Sequence, residues 1–175
     1  LVDPVDGTRE FLRSDGNGAF TVNIGLVIEG APVMGIVLAP AHDRLFCGLV
    51  GDGASEIAAG KARDIAVRPV PGSGPVAVAS RSHRDEETDH WLAAHGIAET
   101  ISTGSSMKFC LVAAGEADVY PRFGPTMEWD TAAGDAVLRA AGGRMITPDG
   151  APYLYGKPDY RSTAFIACGG FMPSN

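Results

Sequence analysis

The sequence predicts a mixed, layered α/β fold, in which an antiparallel meander is followed by an α/β domain. Residues 20–59 contain β-rich segments separated by turns that include Gly, a pattern typical of strands joined by hairpins. Residues 76–168 instead alternate strand-like with helix-like segments, as layered α/β domains do. The segment 70–75 between them is rich in Pro and Gly, which disfavour both helix and strand. We therefore expect one domain over residues 1–72 and a second over residues 73–175.

The first half is predicted to consist mainly of strands. Leu1 and Val2 have the character of a buried strand end, which Pro4 stops because proline has no N–H to donate to a ladder. Residues 8–12 predict a short helix, and the segment 15–18 predicts a loop. The meander is predicted as strands at 20–29, 32–39, 45–50 and 54–59, with a solvent-facing turn at 60–63.

The second half is predicted to alternate strands with helices. Ser105 is the predicted N-cap of a helix that Gly115 ends, and Asp130 is the predicted N-cap of an Ala-rich helix closed by residues 142–143. The predicted strands are 76–80, 100–103, 117–122, 144–147 and 163–168, and the predicted helices are 85–95, 105–114 and 130–141.

Composition and charge exclude several classes of partner. The chain has 175 residues, 45% of them hydrophobic and 20% charged, which is ordinary for a globular protein with a real core. Its formal net charge of −7 argues against a nucleic acid as partner, because that partner requires a basic surface. Gly, Pro or charged residues interrupt each apolar run within about ten residues, short of the ~20 needed to span a bilayer, so no membrane span is predicted.

The cysteines indicate the compartment. Cys47, Cys110 and Cys168 have no spacing typical of a metal site and are surrounded by apolar residues, so we expect buried free thiols in a reducing environment. We therefore expect the protein to be cytoplasmic, either free or at the inner face of the membrane. The sequence leaves the oligomeric state open.

The segment 3–8, Asp-Pro-Val-Asp-Gly-Thr, is the first candidate site. Asp3 and Asp6 are close enough in sequence to direct both carboxylates to one point, where a hard divalent cation such as Mg²⁺ would offset their repulsion. Gly7 allows close approach of a ligand to the backbone, and the helix predicted from Thr8 would direct N–H groups at an anion. The segment therefore indicates a metal and phosphate site, with a plain Asp-Gly turn as the alternative.

Four further residues are candidates, each with a structural alternative. Asp130 is either an N-cap or a metal ligand held at a helix start. His83 follows a predicted strand end, where α/β ligand sites gather, but is equally typical of a surface loop. Lys108 and Arg122 are either solvated charges or phosphate ligands, since cations form strong charge-assisted hydrogen bonds with phosphate.

Two segments of the chain resemble the signatures of a known family. Residues 3–8 resemble the DP(I/L/V)DGT signature of the lithium-sensitive, Mg²⁺-dependent phosphatases, which include inositol monophosphatase, fructose-1,6-bisphosphatase and the 3′(2′),5′-bisphosphate nucleotidases. Residues 129–134, Trp-Asp-Thr-Ala-Ala-Gly, are similar to the family's WDxAAG motif. Residues 104–110 and 117–122 resemble the nucleotidases of the CysQ type more than the inositol enzymes. The resemblance extends through nearly the whole chain and implies the family's αβαβα sandwich.

The resemblance implies a specific function. The chain would belong to a hydrolase that uses Mg²⁺ and water to remove one phosphate from adenosine 3′,5′-bisphosphate, and possibly from its sulfated form in sulfur metabolism, with a small nucleotide as its partner. The implied metal ligands are Asp3, Asp6, Asp130 and the Val5 carbonyl, and the implied catalytic residues are Thr8 and Asp6. The implied substrate-binding residues are Gly7, Thr8, His83, Ser105, Lys108, Arg122 and Asp130.

Two alternatives stay open at this point. The same residues would serve an inositol monophosphatase or a sugar-phosphate phosphatase, and a non-catalytic module that binds phosphate or a nucleotide would need no turnover. Members of the family carry an acidic Glu motif before the DPxDGT segment. We therefore expect this chain to be a fragment without that upstream ligand and water-activating acid, and the number of metal ions stays open.

Overall fold

The computed structural model describes residues 1–12, 18–80 and 85–173. The strands are β1 Val2–Asp6, β2 Thr21–Ile28, β3 Ala31–Ala39, β4 Arg44–Leu49, β5 Gly53–Ala58, β6 Lys61–Ile65, β7 Val76–Ser80, β8 Glu99–Thr103, β9 Val119–Arg122, β10 Thr126–Met127, β11 Arg144–Ile146, β12 Arg161–Ser162 and β13 Phe165–Cys168. The α-helices are α1 Thr8–Phe11, α2 Glu86–Ala94, α3 Met107–Ala113 and α4 Glu128–Ala140.

The first half forms a six-stranded antiparallel sheet in the order β1-β2-β3-β4-β5-β6. Sequential strands pair because short turns connect them, as the meander prediction required. At the β2–β3 turn, Glu29 and Gly30 both have positive φ, of 50° and 79°, which suits the right-handed twist of a tight hairpin. The predicted strands at 20–29, 32–39, 45–50 and 54–59 are therefore confirmed to within a residue or so at each end.

Three predictions for this half were wrong. Val2 is 62% exposed rather than buried, because β1 is the edge strand of the sheet. The strand also continues past Pro4 to Asp6, with an irregular register between Asp3 and Asp6 that bypasses the missing N–H. Residues 60–63, predicted as a turn, lie mostly in the opposite edge strand β6, whose polar composition suits an edge exposed to water. The predicted loop at 15–18 lies mostly outside the described residues.

The second half contains a five-stranded mixed sheet in the order β11-β13-β9-β7-β8. Strand β7 is parallel to β8 and β9, whereas β13 is antiparallel to β9 and β11. Helices α3 and α4 pack together between the two sheets, and α2 packs on the other side of β9. Sheet, helix pair, sheet and helix thus form successive layers, which confirms the predicted α/β sandwich.

Local capping in this half differs from the predictions. Helix α3 begins after Ser106, and Ser105 instead has a left-handed φ of 49°. Helix α4 begins at Glu128, so Asp130 lies within its first turn and accepts from the Met127 N–H over 3.0 Å. Two-residue strands such as β10 and β12 were not predicted, because so short a segment carries no periodicity.

Helix α4 lies unusually close to the first sheet. Gly35 on β3 leaves no space for a side chain, since a Cβ atom there would lie 2.1 Å from the Ala133 carbonyl oxygen. Gly25 and Gly48 meet the same helix in the same way, and their partners on α4 are mainly alanines. Small residues on both surfaces therefore bring the helix backbone against the sheet.

The predicted boundary at residues 72–73 stays a prediction. The strands of one sheet precede segment 70–75 in the sequence and those of the other follow it. One hydrophobic core nevertheless contains residues of both halves, including Phe46 and Phe109. The connection is also tied down, because Arg68 donates twice to buried Asp118 over 2.9 Å and Asp118 accepts from the Val76 N–H over 2.8 Å.

The face of the first sheet opposite α4 is apolar and solvent-exposed in the described residues. Its large exposed side chains include Ile24, Leu26, Ile28, Leu38, Leu49 and Ile57. Cys47 on this face is only partly buried, which corrects the expectation for that thiol, whereas Cys110 and Cys168 are buried and free as predicted. Among the described helices, none is both long and apolar enough to cross a bilayer.

The close packing of α4 predicts that Gly35→Ala destabilises the fold. The added methyl group would collide with backbone, which cannot move aside as a flexible side chain can, so we expect a loss of about 1–3 kcal/mol in the free energy of unfolding. Gly72→Ala is the control, because its Cβ would meet open space. Urea denaturation of both variants measures the difference, and equal stabilities would contradict the packing described.

Candidate active site

Three carboxylates meet at one corner of the fold. Asp3 and Asp6 come from β1, and Asp130 comes from the first turn of α4. One oxygen atom from each lies within 4.8 Å of the others, which makes an acidic cluster that could hold a metal ion. The structure thus brings together the three side chains proposed as ligands from the sequence.

Protein donors hold one side of the Asp3 and Asp130 carboxylates. Asp3 Oδ1 accepts from the Val5 N–H over 3.0 Å. Asp130 Oδ2 accepts from the Thr126 hydroxyl over 2.5 Å and from the Met127 N–H over 3.0 Å. Each carboxylate is therefore oriented, through one of its oxygens, by donors that lie close to it in the sequence.

Asp6 is held in the same way by a residue of the second half. Its Oδ2 accepts from the Ser106 N–H over 2.6 Å and from the Ser106 hydroxyl over 2.9 Å. The Thr21 hydroxyl lies further away, at 3.4 Å. Among the described residues these donors all approach Oδ2, which leaves Oδ1 for a cation. The donor set as a whole consists of hard oxygens, which suits a divalent ion of the Mg²⁺ type.

The cluster carries unfavourable negative charge. Burial raises the pKa of Asp3 from 3.8 to about 6; the Val5 N–H opposes this, and the charges of Asp6 and Asp130 add to it. Burial also raises the pKa of Asp6, against the opposing positive charge of Lys108. A bound cation would remove this penalty by favouring the ionised carboxylates.

A cavity of about 330 Å³ opens beside the carboxylates. Its lining contains Asp6 and Asp130 together with other residues predicted for the site, namely Gly7, Thr8, Ser105, Lys108 and Arg122. Asp3 and Val5 are not part of this lining. Gly7 has a left-handed φ of 85° and precedes α1, so the glycine allows the chain to turn from the strand into the helix.

Lys108 is buried close to the carboxylates rather than extended into solvent. Its Nζ donates to the Ser105 carbonyl oxygen over 2.6 Å and lies 5.2 Å from the centre of the Tyr120 ring. It supplies positive charge to Asp6. Ser105 lines the cavity, and its hydroxyl oxygen is buried without a hydrogen-bond partner in the described parts of the chain.

Arg122 lines the same cavity. Its guanidinium donates to the Pro125 carbonyl over 2.8 Å and, less closely, to the Gly124 carbonyl and the Tyr120 hydroxyl. These bonds direct the side chain along the loop between β9 and β10. His83, the remaining predicted residue, lies outside the described residues.

Sequence reasoning missed several residues of the site. The cavity is also lined by Arg9, Glu10, Ser80, Gly104, Phe109, Tyr120, Thr126 and Thr131. The donors to Asp6 and Asp130, Ser106 and Thr126, were not predicted either, although Ser106 directly follows a predicted site residue. Short polar residues beside a motif were the available signal. Their partners, however, are distant in sequence and so could not be named from it.

Comparison with known proteins decides the family. The profile of the inositol monophosphatase family matches residues 1–169. The chain belongs to the inositol monophosphatase family. The site described above accordingly lies where two of the family's sequence signatures, at residues 3–8 and 129–134, meet in space.

Within this family the chain is similar to the bisphosphate nucleotidases named CysQ. It is 47% identical over 155 residues to 3′(2′),5′-bisphosphate nucleotidase CysQ of Escherichia coli strain K12, covering 89% of this chain and 61% of that protein. This chain therefore spans less than two thirds of that relative's length.

Solved structures give the same grouping. The crystal structure of CysQ from Bacteroides thetaiotaomicron superposes with a TM-score of 0.87 at 41% identity, covering 98% of this chain and 69% of that one. Inositol monophosphatase from Anabaena superposes with a TM-score of 0.77 at 29% identity, covering 97% of this chain and 67% of that one. The fold and the nucleotidase-like resemblance predicted from the sequence are thus confirmed.

The raised pKa of Asp3 predicts a pH dependence in the absence of metal. The folded protein binds the Asp3 proton more tightly than the unfolded chain does, so the proton's contribution to stability is present at low pH and lost as pH rises through about 6. Asp3→Asn cannot ionise, so its stability should fall less over this range. Adding Mg²⁺ should raise the stability of the unmodified protein mainly above that pH.

Thermal unfolding in the presence of a chelator, from about pH 4 to pH 8, measures this dependence. Asp52→Asn is the control, because Asp52 lies in an exposed turn away from the cluster and its removal should preserve the wild-type profile. Identical profiles for Asp3→Asn and the unmodified protein would show that Asp3 does not carry the effect.

Proposed function

We propose that this protein is a Mg²⁺-dependent phosphomonoesterase that hydrolyses adenosine 3′,5′-bisphosphate, and its sulfated form, to the 5′-nucleotide and phosphate. The observation that carries the proposal is the convergence of Asp3, Asp6 and Asp130 beside a cavity that also contains cationic side chains. The similarity to nucleotidases named CysQ supports the choice of a nucleotide substrate.

The metal ion would be held by Asp3, Asp6 and Asp130, with the Val5 carbonyl as a further ligand. Mg²⁺ in such a site neutralises phosphate oxygens and lowers the pKa of a bound water. The three carboxylates then keep their geometry because donors on the opposite oxygens hold them in place. Thr8, which lines the cavity, would orient the attacking water together with Asp6.

The rest of the cavity would bind the remainder of the substrate. Arg122 would hold the second phosphate by exchanging its loop carbonyls for charge-assisted bonds. Ser105 would donate its unpartnered hydroxyl, with Gly7 giving the phosphate close access to the backbone. Lys108, buried beside Asp6, would act between the metal corner and this second phosphate. His83 stays a proposed ligand from the sequence.

Two other functions compete with this one. An inositol or sugar phosphate would use the same carboxylates, and the similarity to inositol monophosphatase from Anabaena supports that alternative. An inositol or sugar monophosphate would, however, leave Arg122 without a phosphate partner. A module that only binds phosphate or a nucleotide would show affinity without turnover, so a steady-state assay separates it from both enzymes.

The proposal predicts a preference for adenosine 3′,5′-bisphosphate over inositol 1-phosphate and fructose 1,6-bisphosphate in kcat/KM. Arg122→Ala should erode this preference by raising KM roughly 10- to 100-fold, because a charged hydrogen bond contributes about 1.5–3 kcal/mol. Lys108→Ala should lower kcat as well, since its charge acts on Asp6. Steady-state kinetics with the three substrates side by side measures both effects.

Lys61→Ala is the matched cationic control, because Lys61 is exposed on the edge strand β6 and should not alter either constant. Asp6→Asn supplies the inactive baseline. If inositol 1-phosphate is hydrolysed as efficiently as the nucleotide, or if Arg122→Ala keeps the full preference, the substrate assignment is wrong.

A further inference from the structure

Asp6 is held by a chain of buried polar groups that begins on the first sheet. Asn23 on β2 is completely buried, and its Nδ2 donates to the Ser106 hydroxyl oxygen over 2.8 Å. Ser106, which is 1% exposed, donates to Asp6 through both its hydroxyl and its backbone N–H. We propose that Asn23 and Ser106 are positioning residues that fix the Asp6 carboxylate for Mg²⁺, an inference that rests on the proposed function.

The direction of these hydrogen bonds determines where the Ser106 hydroxyl points. A serine hydroxyl has one hydrogen to donate, and here two acceptors are in range, Asp6 Oδ2 at 2.9 Å and the Asp130 carbonyl oxygen at 2.8 Å. Because Asn23 donates to the hydroxyl oxygen, it does not compete for that hydrogen. The hydrogen is therefore shared between these two acceptors, each of which belongs to a segment that carries a proposed ligand.

Ser106 also links the two segments that carry the proposed ligands. Asp6 ends strand β1, and Asp130 lies in the first turn of α4. The Ser106 hydroxyl contacts both of them from the residue before α3. The distance between the two ligand-bearing segments is thus tied to a third element, so a change at Ser106 should alter the geometry of the cluster.

Stability alone does not explain an amide at position 23. The Oδ1 atom of Asn23 is buried and has no hydrogen-bond partner in the described ranges, which is unfavourable for a carbonyl oxygen. An apolar side chain of similar size would avoid this cost. The amide does, however, supply the donor that orients Ser106, and that is the role the proposal assigns to it.

The proposal predicts weaker Mg²⁺ binding in the absence of substrate. Ser106→Ala should weaken the affinity about 10- to 100-fold, the range observed when groups that orient metal ligands are removed. Asn23→Ala should weaken it less. The double variant should bind as Ser106→Ala does, because Asn23 acts through the Ser106 hydroxyl and has no route to Asp6 once that group is gone. Isothermal titration calorimetry with Mg²⁺ alone gives the four affinities.

Cys168→Ala is the matched control, because it removes one buried atom from β13, whose residues do not line the cavity. It should lower the unfolding temperature but leave the Mg²⁺ affinity unchanged. Ser106→Cys, which keeps a weaker donor in the same place, provides the same test if the alanine variant does not fold.

The possible outcomes distinguish this proposal from the proposed function on which it rests. Unchanged affinity in Ser106→Ala, or a double variant whose loss is the sum of the two single losses, would overturn the positioning role while the unmodified protein still binds Mg²⁺. Failure of the unmodified protein to bind Mg²⁺ at all would overturn the proposed function and this inference with it.

Discussion

Mutual repulsion among Asp3, Asp6 and Asp130 is the constraint on which the rest of the structure depends. Their oxygens lie within 4.8 Å of one another in a partly buried corner, where like charges interact more strongly than in water. The protein offsets this repulsion in two ways. Hydrogen-bond donors hold one oxygen of each carboxylate, and the buried cation of Lys108 lies close to Asp6. The arrangement favours a divalent ion at the centre.

The sandwich architecture places these charges accurately because α4 has little freedom to move. Its later turns press against glycines of the first sheet, and buried Glu128 in its first turn accepts the backbone N–H groups of Gly156 and Lys157. Asp130 lies between these two anchors. Close backbone packing therefore has a functional consequence, since it fixes the position of a proposed ligand relative to β1.

Much of the fold and the centre of the site followed from local signals. Hairpin turns such as Glu29-Gly30 have a distinctive chemistry, and the two Asp-containing motifs are recognisable without knowledge of their contacts. Edge strands gave less information. The polar sequence of β6 is suited to an exposed edge, but it is also typical of a turn, and only pairing with β5 distinguishes the two. The observed helix N-caps lie one or more residues from the predicted ones for a similar reason, because Ser105 and Ser106 have equivalent local propensities for the N-cap position. The roles of Ser106, Asn23 and Lys108 depend on contacts between distant segments, which no local pattern encodes.

The most direct test of the central claim is a crystal structure of the protein soaked with Mn²⁺, an ion that takes oxygen ligands as Mg²⁺ does and scatters anomalously. The account predicts an anomalous peak between the three carboxylates, at a distance of about 2.1 Å from an oxygen of each of Asp3, Asp6 and Asp130. The absence of a peak there at saturating Mn²⁺, or an ion bound elsewhere while these carboxylates stay unchanged, would contradict the central claim.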